Sequence, residues 1–282
     1  MDPSDVTTLY KGKGSRQDVE NWRGVFQLPV LRNILDRMVY EEEYSVISSN
    51  MGCFQVGSQR GRNIRDHLLV LHAICNEVRI KHLNVDIILN DIKQCFDTMW
   101  IHETINDLYT SGVKSRNLNI LFSGNSKTRM RIKTAFGNTP RIPLNNLIMQ
   151  GSVPGPIMCS NQMSKLSNKC FKEGTVYMYM NKVPVGPLDM VDDVATISEC
   201  GTTSGIEVNV KTDTFIKGKK LESQVAKGKC QFVHIGKGKC TGQYYANYKR
   251  LEKEDSAKYL ADIISDNLDN LYEARAAKQT KF

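Results

Sequence analysis

The chain has 282 residues, 40% hydrophobic and 24% charged, an ordinary globular mixture with material for one large domain or two modest ones. Its 38 Lys+Arg against 30 Asp+Glu leave a formal charge of +8 and a pI near 9.0, which points to an acidic partner, nucleic acid first; a soluble protein that is merely basic fits the same charge. It contains neither a stretch of about eighteen apolar residues nor a basic-then-apolar leader, so membrane insertion and secretion are not expected and an intracellular protein is.

The first twenty-odd residues are polar and basic, with a loop-like Lys11-Gly12-Lys13-Gly14, before Leu31, Ile34, Leu35 and Met38 recur at helical spacing and predict a helix from Leu28 to Val39. A second helix is expected from Asp66, with Leu68, Leu71, Cys75 and Val78 near one face. A strand over Val85 to Leu89 and a helix from Thr98 to Tyr109 follow. Beyond Gly112 the pattern reads as strand-rich, with alternation from Arg129 to Lys133, a turn at Gly137-Asn138, and Asn146 to Met149 leading into a Gly/Pro cluster. A helix is predicted over Ile157 to Cys170, then strands from Thr175 to Ile197 broken at Pro184, Pro187 and Asp192-Asp193, then a strand from Gln231 to Ile235. The Lys-rich run from Lys217 to Lys239 reads either as a solvated loop with a hairpin or as a phosphate-contacting surface. With no internal repeat, this order predicts an α+β domain with an antiparallel sheet.

Eight cysteines, at 53, 75, 95, 159, 170, 200, 230 and 240, form no C-x-x-C pair and read as buried thiols of a reducing compartment. Cys230 and His234 have the spacing of half a zinc site, but no second pair follows at finger spacing, so no zinc is expected. Three aspartates carry more. Asp91 ends an apolar strand-like run, and Asp192-Asp193 sits between Met190-Val191 and Val194-Ala195. A helix cap and an ordinary hairpin turn account for such residues. So does a floor of oxygen ligands for paired Mg²⁺ ions doing phosphoryl transfer.

The motifs in their order resemble the reverse transcriptase domain of non-LTR (LINE-type) retrotransposons over nearly the whole chain. Leu9 to Gly14 with Asn21-Trp22-Arg23-Gly24-Val25, and then Gln55-Val56-Gly57 with Arg60-Gly61-Arg62 and Asp66, look like entry blocks of the fingers. Asp91 to Asp97 is similar to the first catalytic motif, Gln150 to Pro156 to the Gln-Gly loop, and Met190-Val191-Asp192-Asp193 to the acidic hairpin. Lys229-Cys230 and Lys258-Tyr259-Leu260-Ala261 resemble the last palm strands and the primer grip. Met190-Val191 departs from the family's aromatic-Ala pair, and Ala261 stands where the family has Gly.

The resemblance implies a right-hand polymerase fold of fingers and palm with the thumb largely missing. Its divisions are 1–84 fingers, 85–112 first part of the palm, 113–149 a fingers/palm connection, 150–245 palm, 246–265 primer-grip region, and 266–282 the start of a thumb. It implies an RNA-directed DNA polymerase acting on an RNA template, a DNA primer and dNTPs, with two Mg²⁺ ions, or Mn²⁺ in their place, on Asp91, Asp192 and Asp193. Phe96, Gln150, Gly151, Arg23, Lys11 and Lys13 are then the dNTP-binding residues, Lys229 a general acid, and Lys258, Tyr259 and Leu260 the primer grip. A nuclear location is implied as well. The rival expectations are a catalytically silent nucleic-acid-binding remnant of a mobile element, an RNA-templated RNA polymerase, and a purely structural domain.

Overall fold

The computed structural model describes residues 4–266 except 13, 127, 145, 146, 226–228 and 261. Lys13, Ala261 and nearly all of the expected thumb start therefore lie outside the described residues. In chain order, β1 (Ser4–Tyr10) and β2 (Trp22–Gln27) lead into α1 (Val30–Asn50), α2 (Ile64–Lys81) and β3 (Val85–Asn90). Then come α3 (Cys95–Thr98), α4 (Ile101–Thr110), α5 (Ser115–Ser126), β4 (Arg129–Thr134), β5 (Gly137–Asn138), β6 (Ile142–Pro143) and α6 (Gly155–Lys172). The remainder is β7 (Tyr177–Tyr179), β8 (Val183–Val185), β9 (Leu188–Met190), β10 (Asp193–Glu199), α7 (Thr203–Gly218), β11 (Gln231–Ile235) and five short strands, β12 (Tyr245–Ala246), β13 (Lys249–Arg250), β14 (Lys253–Glu254), β15 (Ser256–Tyr259) and β16 (Asp262–Ser265). Among the described residues no helix is long and apolar enough to cross a membrane.

Two compact units divide the chain, one of residues 1–50 and 94–162, the other of residues 51–93 and 163–282. These are boundaries of compactness, a different property from the fingers and palm divisions the resemblance implies. In the first unit β1 pairs antiparallel with β2 and parallel with β4, and Val6, Phe26, Leu144 and Met149 close a small core. Helix α1 outruns its predicted end and turns a different face inward. Leu31 and Met38 are exposed, whereas Asp36, Val39, Glu43 and Ile47 are buried. That face is tolerable because its carboxylates have partners: Arg32 Nε donates to Asp36 at 2.6 Å in an ion pair, and the Asn117 amide Nδ2 donates to Glu43 at 2.6 Å. The stretch after Gly112 is helical before it is extended. Asn and Ser hide α5 from a propensity reading, yet Leu118 and Leu121 point inward one turn apart and Asn125 bonds back to the Leu121 carbonyl.

The second unit is built on the sheet β14-β11-β3-β10-β9, in which β11, β3, β10 and β9 each run antiparallel to their neighbours in that order and β14 is parallel to β11. Every residue of β3 is buried, Asp86 and Asn90 included, and its two faces meet different partners. Val85, Ile87 and Leu89 pack with Leu71, Ile74, Cys75 and Val78 of α2, which starts at an Asn63 cap rather than at Asp66. Ile88, on the other face, packs with Phe232, Tyr244, Ala246 and Leu251. Pro184 does not break a strand as expected; it lies inside the short β8, and the reversal falls on Met180 and Asn181, both at positive φ as a type I′ hairpin turn demands. Helix α7 was hidden in a polar stretch, although Val208, Thr212 and Ile216 mark its buried stripe. Cys53 is exposed and Cys200 and Cys240 are half-buried, so the cysteines are not uniformly core thiols.

A buried histidine ties the second unit together. His67 Nε2 bonds the Phe54 carbonyl at 2.8 Å, and its Nδ1 faces the Tyr259 hydroxyl at 3.2 Å, which itself donates to the Leu188 carbonyl at 2.9 Å. Burial pushes the imidazole pKa down from 6.5 to about 4, with the bond to Phe54 opposing. Between those values the unfolded chain binds more protons than the native one, so this contribution is fully present above pH 6.5 and is lost as pH falls towards about 4. The shift corresponds to about 3 kcal/mol. His67→Gln should flatten the pH dependence of stability over that window, measured by denaturant unfolding at either end; an equal loss in variant and wild type would assign the titration elsewhere.

Candidate active site

Three strands deliver charged groups to one end of the second unit's sheet. The ladder pairs Val194 with Asn90 and Gln231 with Leu89. One further step sets Asp193 beside Asp91, and two further steps set Lys229 on its other side. All three follow the alternation of the face that carries Leu89, Ala195 and Val233. Lys229 Nζ reaches Asp91 Oδ2 at 2.6 Å in a partly exposed ion pair. Asp193 belongs to an exposed residue, yet the atoms packed about its carboxyl desolvate it, and that desolvation, with the Asp91 charge adding and Lys229 opposing, raises its pKa. Asp192 is half-buried in the turn between β9 and β10.

That turn is strained. Val191 has φ +60°, a left-handed conformation that a β-branched residue adopts at a cost of about 1–3 kcal/mol. The wholly buried Gln55 holds it there: its Oε1 accepts from Val191 N at 3.0 Å and from Gly57 N at 2.8 Å, and its Nε2 donates to the Val191 carbonyl at 3.3 Å. Gly57 has to be glycine, since a Cβ would stand 2.5 Å from the Val191 nitrogen. In the sequence Gln55 and Gly57 stand among motif residues with nothing that reveals this role. A Gln two residues before a Gly is the local signal, but its partner lies 136 residues away.

Asp91 is fixed through its backbone. Its nitrogen donates to Cys230 Sγ at 3.3 Å, its carbonyl accepts from Gln224 N at 2.8 Å, and Lys93 N donates to the Glu222 carbonyl at 2.9 Å. Burial pushes the Cys230 thiol up to about 11, so it stays protonated and acts as a packed anchor. Cys230 thus stands at the Asp91 end of β11 while His234 stands near the other end, paired with Asp86; the two do not share a site.

The remaining expected residues divide between the units. In the second, Lys258 is exposed on β15, Leu260 has φ +54° in the turn to β16, and the Tyr259 side chain is consumed by its buried contacts to His67 and Leu188. In the first, Lys11 and Arg23 are exposed near the β1/β2 turn, Leu9 pairing with Arg23, and Lys11 Nζ bonds the Glu20 carbonyl at 2.8 Å. Both cations lie near Asp97, opposing the desolvation that raises its pKa. Phe96 is half-buried in α3, and its carbonyl accepts from Ile148 N at 3.0 Å. The Gln150 carbonyl accepts from Phe26 N at 2.8 Å; Gly151, at φ +114°, lies so close to β2 that a Cβ would stand 2.6 Å from the Phe26 oxygen. The Gln-Gly segment is thereby seated on β2.

Asp91, Asp192 and Asp193 offer only oxygen donors; Asp193 feels the Asp91 charge, and the Lys229 ammonium pairs with Asp91. The donor set fits hard divalent ions.

Solved structures with the same fold are right-hand polymerases. They include a telomerase from Candida tropicalis, with a TM-score of 0.60, 13% identity, and 93% of this chain matched to 43% of that one. An RNA polymerase complex inside a dsRNA virus has a TM-score of 0.57 and 10% identity, over 94% of this chain and 22% of that one. An RdRp complex has 0.58 and 11%, over 94% and 21%. This chain thus spans less than half the length of each. The family model for reverse transcriptase (RNA-dependent DNA polymerase) matches residues 11–264. The chain belongs to that family. No curated protein matches the sequence.

Because Gln55 sets a strained turn that carries Asp192 and leads into Asp193, Gln55→Ala should destabilise the second unit by about 1–2 kcal/mol, the loss of its buried hydrogen bonding. Gly57→Ala should do at least as much. Denaturant unfolding of both variants beside the wild type provides the check; wild-type stability in both would remove Gln55 from the support of the turn.

Proposed function

We propose that the chain is the core of an RNA-directed DNA polymerase that adds dNTPs to a primer 3′-hydroxyl, and that its parent is an element of the non-LTR type. The observation that carries this reading is the convergence of Asp91 and Asp193 on one sheet face with Asp192 in the adjoining strained turn. Nothing in a silent nucleic-acid binder calls for that cluster.

Asp91 and Asp192 are assigned as the principal ligands of two Mg²⁺ ions, with Asp193 in support. Bound there, divalent ions would activate the 3′-hydroxyl and neutralise charge developing on the triphosphate. Lys229 balances Asp91 while no other cation does so, and on this reading it turns towards the departing pyrophosphate as proton donor. Arg23 and Lys11, with Lys13, contact the β- and γ-phosphates, the guanidinium being suited to bidentate contact. Gln150 and Gly151 present backbone to the incoming nucleotide. Phe96 is the ring that excludes a 2′-hydroxyl, which favours deoxynucleotides over the RNA-polymerase alternative. Lys258 and the backbone around Leu260 hold the primer, since the Tyr259 side chain is buried. In subdomain terms the acidic row belongs to the palm and the β1/β2 region to the fingers. The RNA template is bound chiefly through phosphates, which fits the formal charge of +8.

Primer extension by the purified chain on an RNA template with dNTPs and Mg²⁺ tests the reading. Asp192→Asn preserves shape and removes a metal-binding charge, so extension should fall by about a hundredfold or more; near-wild-type rates would reject the assignment. Phe96→Val should admit ribonucleotides, measured as the ratio of dNTP to rNTP kcat/KM, and an unchanged ratio would place discrimination at another residue.

A further inference from the structure

The opposite end of the same sheet carries a second cluster, of different chemistry. Asp86 and His234 are cross-strand partners on β3 and β11, Cys200 follows the last residue of β10, and Cys240 lies in the loop after β11. One donor atom from each lies within 4.8 Å of all the others. Asp86 and His234 are buried and the two thiols half-buried.

The hydrogen bonding around His234 calls for a cation. Its Nε2 lies 3.1 Å from the Gly238 carbonyl, which can only accept, so that nitrogen carries the hydrogen. In the neutral ring Nδ1 then has a lone pair, and it faces Asp86 Oδ1 at 2.7 Å, another acceptor. A proton between them would reconcile the contact, but it leaves unexplained why two thiols converge on the same point. Two sulfurs, one imidazole nitrogen and one carboxylate oxygen make a four-donor set of the kind that closes around Zn²⁺. The supports that metal ligands need are present as well. Tyr244 donates to Asp86 Oδ2 at 2.6 Å, leaving Oδ1 for the cluster, and Thr241 N donates to Cys200 Sγ at 3.4 Å.

We propose that Asp86, Cys200, His234 and Cys240 bind one structural zinc ion that staples the loop of residues 236–242 to the ends of β3 and β10. This proposal runs against the expectation of no zinc. Spacing paired His234 with Cys230, whereas the fold brings it to Cys200 and Cys240. The site stands apart from the polymerase reading, because it shares no ligand with the acidic row and prefers a softer ion.

Zinc content of the purified 282-residue chain, measured by plasma mass spectrometry, should be roughly one ion per chain and should persist in Asp192→Asn. Exchange for Co²⁺ should give thiolate-to-cobalt charge-transfer and tetrahedral ligand-field bands, both lost in Cys200→Ser/Cys240→Ser and kept in Cys53→Ser. Tyr244→Phe should weaken zinc binding by about 10- to 100-fold in a chelator competition. Absence of zinc and of the cobalt–thiolate band from folded wild-type chain would overturn the proposal, leaving a hydrogen-bonded Asp86–His234 pair only. Undiminished bands in the double Cys variant would overturn it equally. Should the double variant fail to fold, the wild-type cobalt spectrum decides alone.

Discussion

The second unit depends on the register of β3 between β10 and β11. Because side chains alternate faces, a slip of one residue on either side would exchange the two faces of the slipped strand, each of which packs against different partners. Burial forbids that slip: β3 is buried throughout, and so is each of the paired residues Val194 to Ser198 and Gln231 to Ile235. The chemistry is therefore placed by hydrophobic packing. Leu89, Ala195 and Val233 settle the ladder, and Asp91, Asp193 and Lys229 extend beyond it as a consequence.

The same ladder explains how a cluster of like charges is sustained. Packed β-structure supports the carboxylates from below, the Asp91 backbone is held by Cys230 and Gln224, and the turn bearing Val191 is clamped by Gln55. Each support comes from a segment distant in sequence. Electrostatic strain at Asp193 and backbone strain at Val191 are thus borne by a rigid surround, which keeps both from relaxing by local rearrangement.

Much of this was legible in the sequence where a signal is local. The strands Val85–Asn90 and Gln231–Ile235 and the helix Gly155–Lys172 follow from apolar runs and spacing, and the acidic pair from its apolar brackets. Three kinds of feature were not legible. Helices α5 and α7 are rich in Asn, Ser and Thr, whose propensity is low, and owe their existence to buried stripes that meet partners elsewhere. The inward face of α1 carries Asp36 and Glu43, so a search for apolar periodicity selects the wrong side. Gln55 and the Asp86, Cys200, His234, Cys240 group join positions more than a hundred residues apart, and spacing rules see only neighbours.

The interleaving of the two units has a consequence for biosynthesis. The strand β1 has to wait for its parallel neighbour β4, synthesised more than a hundred residues later, and the second unit begins before the first is complete. Neither unit can close in the order in which it leaves the ribosome. Closure over such a span is entropically slow, and until residue 134 has emerged the β1 edge is an open template for pairing with other chains. A nascent chain of this design depends on shielding during translation more than one whose domains are continuous in sequence.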